Sequence, residues 1–430
     1  MLFKISWVRL FSILYILLLV LYAISFFGLW LNFVCPNNFY STIGKNPYFF
    51  LDYTRYYMFA KIINIGQGAN IFSPDLQKTV FQSLISPALA YEYYTDYPPF
   101  VGIVFLPLLL LNFNYGYIFF IAFSLLFFFW SLLKFRQQFN GLAQGNIVVF
   151  CLGVFACLPT MYDILLGQIN FLIVTSLSLF LIAVVFSKQV VYALTTLLII
   201  CKPHYYCLFY LLSLVKARYK LFLASLLIIL GLIFLSVWFC GIKATLNYPK
   251  ILYEIHAKFQ YQGIPIPVFT THTKYIISLR CLVNVFFSKG IANLLSIAIY
   301  GLGIMLALAI FYQTKWKNSQ NLNWSIASVV LIFLVTSPHC FAQDLIILAL
   351  PAILTLKSLD LGEILKYDIS YKIWCLIFYF YPVWSWLNYL CIGGQYDYRQ
   401  YVNLMVNLCL LAIALNKYWQ TGFLTQASIN

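Results

Sequence analysis

Charge is what this sequence has least of. Only 9% of its 430 residues are Asp, Glu, Lys or Arg, and only 11 are acidic. Soluble domains are about 25% charged and about 45–50% apolar, whereas here 63% of residues are hydrophobic and 20% aromatic. Mean hydropathy is +0.89. A surface this poor in charge cannot be kept in water, so most of the chain has lipid as its solvent. Other absences narrow the choice. There is no CxxC pair and no Cys/His spacing suited to a metal, so no metal is expected. Most of the 11 cysteines, Cys151, Cys157, Cys201 and Cys409 among them, lie within apolar runs, where a thiol behaves as a small hydrophobe. Cys35, Cys281 and Cys391 fall on the expected non-cytoplasmic side, but no spacing argues for a disulfide. No internal repeat, inverted half-to-half symmetry or low-complexity stretch is visible. The first apolar run, Phe11 to Leu31, is too long for a signal-peptide core and lacks a small-residue cleavage site, which leaves it as an anchor.

Basic residues are in excess, 26 against 11 acidic, for a net charge of +15. In a soluble protein that would point to nucleic acid. Here the basic residues sit in short loops beside apolar runs, where they orient a membrane protein and meet anionic lipid head groups, so nucleic acid is not expected as a partner.

A helix needs about 20 apolar residues to span the hydrocarbon, and that ruler gives about twelve spans. Their centres lie near Val20, Phe105, Leu125, Gly153, Ser178, Ile199, Ile229, Ile299, Ile332, Ala349, Phe380 and Cys409. The sixth is interrupted at Lys202–Pro203. The expected fold is therefore an all-α polytopic bundle, a single integral membrane domain over 1–430. With a cytoplasmic N-terminus, the basic groups at Lys4/Arg9, Lys216–Lys220, Lys315/Lys317, Lys357–Lys372 and Lys417 share one side, and both termini are cytoplasmic. Lys134 and Arg136 break the rule by falling outside. Two large loops, about 32–97 and 240–290, then face away from the cytoplasm. In the first, Tyr56, Phe59, Ala60 and Ile63 share a helical face with Arg55 and Lys61 elsewhere, a pattern suited to a helix lying flat in the interface.

Polar groups held in or beside a bilayer are expensive and mark function more often than surface polar groups do. They are few: Asp52, Asp96, Asp163, Gln168, Asn170, Lys202, His204, Arg280, His339, Gln343 and Asp344. Asp52 either caps the helix that follows or serves as a catalytic carboxylate, and the two are compatible. Tyr97-Pro-Pro opens an apolar run. Gln168 and Asn170, in Gly167-Gln-Ile-Asn, bind either a neighbouring helix or a substrate. Lys202, before Pro203, either snorkels or neutralises a phosphate; Arg280 offers a phosphate bidentate geometry. His339 and Asp344, in Ser337-Pro-His-Cys-Phe-Ala-Gln-Asp, fall on the same side as Asp52, a convergence suited to proton transfer. Asp163 falls on the expected cytoplasmic side and is left outside this set.

Together these landmarks resemble glycosyltransferase family 87, enzymes of the GT-C fold related to polyprenol-phosphate-mannose-dependent mannosyltransferases. The resemblance rests on ordered motifs: Asp52-Tyr-x-x-Tyr-Tyr, Tyr97-Pro-Pro, Gly167-Gln-x-Asn, Lys202-Pro within a span, and Ser337-Pro before a late helix. It implies a GT-C bundle with a catalytic module over 1–240, including the 32–97 loop, and C-terminal helices over 241–430 with the 241–290 loop. It implies that Asp52 is the general base. It also implies a histidine in the late loop, where many members carry His-His; this chain has Gln343-Asp344 there and His339 a few positions earlier, so the second catalytic role is shared between His339 and Asp344. From their charge rather than from the resemblance, Lys202 and Arg280 would face a carrier phosphate, with Tyr97, Gln168 and Asn170 contacting substrate. The implied reaction takes a sugar, mannose by resemblance, from a polyprenyl-phosphate donor to a lipid or glycan acceptor. It proceeds by inverting single displacement without a cofactor, in a bacterial plasma membrane. The competing readings are a polytopic transporter or flippase, with Lys202, Arg280 and Asp344 lining a pathway, and a surface-glycan polymerase or ligase. Transporters tend to carry paired helix breaks, and only one break is visible here.

Overall fold

In a computed structural model the described residues are 7–34, 50–85, 94–95, 97–142, 146–186, 190–255, 260–265, 276–391 and 399–427. They form an α-helical bundle. The longer helices are α1 (Trp7–Val34), α2 (Leu51–Asn64), α3 (Pro74–Leu84), α4 (Phe113–Phe139), α5 (Ile147–Ala156), α6 (Leu158–Leu166) and α7 (Asn170–Phe186). They continue as α8 (Pro203–Val215), α9 (Tyr219–Tyr253), α10 (Lys289–Gln313), α11 (Ser319–Thr336), α12 (Ile369–Cys391) and α13 (Arg399–Ala427). A two-stranded ribbon, β1 (Gln260–Tyr261) and β2 (Ile264–Pro265), follows α9. Among the described residues six helices are long and apolar enough to cross a membrane, or seven if α5 and α6, bent by 59° at Cys157, count as one span. The protein is thus a multi-pass, all-α membrane protein. Its lipid-facing surface is apolar: Leu14, Leu18 and Leu21 on α1 and Leu227, Phe234 and Trp238 on α9 are exposed. By contrast α7 and α11 are sheathed by other helices over nearly their whole length.

The contacts sort the chain into two ends. At the basic end, Arg218 Nε donates to Val184 O at 2.9 Å. Phe139 and Phe186 pack edge to face 5.1 Å apart, and Leu142 N donates to Ile353 O at 2.8 Å. Asn323 of α11 reaches Phe139 O and Leu354 O, and Lys417 pairs with Asp368. The C-terminal end of α4, with Lys134 and Arg136, therefore lies with the other basic groups, which corrects the expectation that those two fall outside.

The cause is the stretch 97–111, expected as the second span. It starts at Tyr97, beside Asp52 and Tyr56 of α2, and returns at Leu111, whose carbonyl accepts from Tyr57 on the same helix. It leaves α2 and comes back to α2. Pro98, Pro99 and Pro107 break it into a short helix at Phe100–Val104 and a tighter turn at Leu106–Leu110. Gly102 lets it lie against α2, because a Cβ there would sit 2.8–3.0 Å from atoms of Ile63 and Phe59. The sixth expected span is in turn two shorter passages hinged at Ile200–Lys202, with Lys202 at the end opposite Arg218.

The helix expected to lie flat in the interface is more enclosed than its pattern implies. Twelve of the fourteen residues of α2 are buried, Arg55 among them. The helix is enclosed by α3, α4, α6 and the 97–111 segment rather than half-solvated. Its aromatic residues explain this: Tyr53 packs on Phe113, Tyr117 and Phe120, and Tyr56 stacks on Phe105 at 4.7 Å.

Candidate active site

The site is built where α2 begins. Phe50 precedes α2 with left-handed backbone (φ 60°), and its N–H donates to Leu165 O at 2.7 Å. That bond ties the start of α2 to the end of α6. Gly167 closes α6 at φ 66°, and a Cβ on it would lie 2.5 Å from Cβ of Tyr53. Only glycine both turns the chain here and admits α2 so closely. The Gly-Gln-x-Asn motif is thereby pressed against Asp52.

Asp52 lies in the first turn of α2 and is 5% exposed. The capping position is Phe50, and no side chain caps it. Asp52 instead turns to its neighbours: Arg55 Nη1 donates to Oδ1 at 3.0 Å, Gln168 Nε2 donates to Oδ2, and Tyr97 O–H approaches Oδ1 at 3.5 Å. Tyr97 is also bonded to Tyr56 at 3.0 Å. The long bond from Tyr97 is the one that a substrate hydroxyl would most readily replace.

Two residues beyond Gln168 begins a second arm. Asn170 Nδ2 donates to Asp163 Oδ1 at 2.7 Å, and Asn170 Oδ1 accepts from Lys202 Nζ at 2.5 Å. Lys202 pairs with Asp344 Oδ1 at 2.8 Å. Asp344 Oδ2 in turn accepts the N–H of Phe341 at 2.9 Å, in the first turn of Ala342–Leu348. The arm joins α6, α7, the Lys202 hinge and the late loop. Each of its charged groups is buried, as such groups must be paired or bonded to persist there.

A third group lies where the second large loop meets the late loop. Ile277 N donates to Cys340 O and Leu279 N to Val335 O, each at 2.8 Å. Arg280 then places Nη1 3.0 Å from Pro338 O and 3.5 Å from His339 Nε2, with Nη2 2.8 Å from Asn293 Oδ1. Arg280 is 6% exposed, and among the described residues it has no carboxylate partner. His204, two residues after Lys202, lies 6.1 Å ring to ring from His339, which connects this group with the second arm.

The structure thus brings Asp52, Tyr97 and Gln168 into one contact set, Asn170, Lys202 and Asp344 into the next, and Arg280 with His339 into a third. Lys202 and Arg280 do not share a partner: Lys202 is matched by a carboxylate and Arg280 by neutral groups. Asp163, left out on topology, is fully buried within the second arm. Arg55, placed on the far face of a surface helix, is the direct partner of Asp52. Its position three residues on, one turn away on the same face, was the available signal. Asp96 and His272 lie outside the described residues. An apolar cavity of about 60 Å³ lined by Tyr15, Phe150, Ile346 and Tyr381 lies deeper in the bundle and does not include Asp52. Among the described residues no group of three His, Cys, Asp or Glu could hold a metal.

The sequence model of glycosyltransferase family 87 matches residues 94–338, more than half of the chain. The matched stretch holds Tyr97, Asp163, Gln168, Asn170, Lys202 and Arg280; Asp52 precedes it, and His339 and Asp344 follow it. No curated protein and no solved structure matches.

Proposed function

This chain belongs to glycosyltransferase family 87 and is a membrane glycosyltransferase; we propose that it takes its sugar, mannose, from a polyprenyl-phosphate donor and passes it to a lipid or glycan acceptor at the Asp52 end. The observation that supports the donor class is Arg280, a buried guanidinium whose described partners are neutral. An uncompensated buried cation is costly, and an anion that docks beside it relieves the cost. A phosphate diester suits its planar fork of donors. Lys202, already matched by Asp344, contributes less to that recognition than its charge alone suggests.

Asp52 is the general base in this reading. Its carboxylate takes the proton of the acceptor hydroxyl as the oxygen attacks the anomeric carbon, and the sugar–phosphate bond breaks on the opposite face. The electron pair leaves with the lipid phosphate, whose charge Arg280 and His339 stabilise. One displacement inverts the anomeric centre. Arg55 and Gln168 hold the carboxylate in a fixed orientation, the kind of positioning on which much of such a rate depends. His339 and Asp344 share the second role: His339 beside Arg280, and Asp344 by fixing Lys202 and the late loop. In the same reading the Asp52 end is the non-cytoplasmic side of a bacterial plasma membrane, and both termini are cytoplasmic.

The test is incorporation of radiolabelled mannose from polyprenyl-phosphate-mannose into lipid or glycan by the purified protein. Labelled product with no nucleotide sugar present supports the reading. Transfer only from a nucleotide sugar contradicts it.

A further inference from the structure

We infer that Asp163 is a positioning residue that holds the second arm of the site through Asn170. The inference rests on the active-site reading above and deepens it. Asp163 is fully buried. Its Oδ1 accepts from Asn170 Nδ2 at 2.7 Å, and its backbone carbonyl accepts from Gln168 N at 2.9 Å. The first of these bonds holds the Asn170 amide in one orientation. The ammonium of Lys202 only donates, so the Asn170 oxygen faces Nζ at 2.5 Å and its NH₂ is left to Asp163 Oδ1. Lys202 is thereby aimed at Asp344. On the other arm the backbone bond fixes Gln168 in the loop from which Nε2 reaches Asp52 Oδ2. Asp163 Oδ2 has no partner among the described residues. The bond to Asn170 is therefore the one the side chain contributes to holding the arm. A leucine there would leave the Asn170 NH₂ buried without its acceptor, and the amide, no longer held from behind, would shift and weaken its bond to Lys202. An asparagine would keep an acceptor for Asn170.

Two readouts test this in Asp163→Leu, Asp163→Asn, Asn170→Leu and the double leucine variant, each in the full-length purified protein. The first is steady-state transfer from polyprenyl-phosphate-mannose. A misplacement of about 1 Å can cost about a hundredfold, so kcat per folded molecule should drop at least about tenfold in Asp163→Leu. Asp163→Asn should stay within about threefold of the parent, and donor KM should change little in either. The double variant should be no slower than Asn170→Leu alone, because the two residues act in series. The second readout needs no turnover: the rate at which an amine-acylating reagent modifies Lys202, followed by mass spectrometry against half-buried Lys372. Lys202 should be modified several-fold faster in Asp163→Leu and stay protected in Asp163→Asn, with Lys372 unchanged. Unchanged Lys202 protection in Asp163→Leu overturns the inference, as do losses that multiply independently in the double variant. A parent enzyme that transfers nothing from this donor would sink the function proposed above, and the labelling arm would still decide the role of Asp163.

Discussion

The two ends of this bundle use the same residue types in opposite ways. At the Asp52 end the paired charges are enclosed: in Lys202–Asp344 the side chains are 9% and 2% exposed. At the basic end they are solvated: in Lys366–Glu363 they are 70% and 52% exposed. Solvated pairs are screened and contribute little; enclosed ones carry a large desolvation cost, offset only by good geometry and further hydrogen bonds. A chain with so few charges has hidden several of them at one end. The comparison teaches that the basic end keeps its charges in water, whereas the Asp52 end keeps them enclosed and paired.

The contrast breaks most sharply if one member of the enclosed pair is removed. Lys202→Met leaves Asp344 buried without its cation and should destabilise the protein by about 3–5 kcal/mol. The double variant Lys202→Met/Asp344→Leu should be less destabilised than Lys202→Met alone, although it also loses the bond to Phe341 N. Thermal unfolding in detergent decides this, and a double variant weaker than the single would mean that the pair behaves like an exposed one. Next in size, Arg280→Lys keeps the charge and loses the planar fork. Donor KM should rise about tenfold, equivalent to about 1.4 kcal/mol, with kcat changed less.

At the basic end the effects should be small. Burial works against the charged form of Asp368, but hydrogen bonds from Ser370, Lys417 and the Tyr371 N–H prevail and hold its carboxyl well below the usual range. A carboxyl lowered on folding adds stability above its unfolded pKa of about 3.9, and that stability is lost as the pH falls from there toward the folded value. Asp368→Asn should therefore cost under about 1 kcal/mol at neutral pH, given its exposure, and should flatten the acid limb of the stability curve below about pH 4. Smallest of all, Glu363→Ala should leave the unfolding temperature unchanged within error.

How much was legible beforehand differs between fold and site. Composition with apolar runs of about 20 residues pointed to a polytopic helical protein, since a helix satisfies its own backbone in lipid. The ordered motifs drew attention to Tyr97, Gln168, Asn170, Lys202 and the Ser337-Pro loop, residues that the fold does gather. What departed from expectation was the stretch 97–111. The run from Phe100 to Leu111 is apolar enough to pass for a span, yet its prolines and Gly102 fold it back on α2. That one misassignment put Lys134 and Arg136 on the wrong side and hid Asp163. The burial of Arg55 was invisible for a different reason. Periodicity reports one apolar face, and a helix enclosed on all sides by aromatic rings carries no such mark.

The account stands or falls on the carboxylate at the start of α2. In Asp52→Asn the shape is kept and basicity is lost, so the purified protein should elute and unfold like the parent while mannose transfer from polyprenyl-phosphate-mannose drops below detection. Turnover equal to the parent, in a variant that is equally folded, would contradict the assignment of Asp52 as the base.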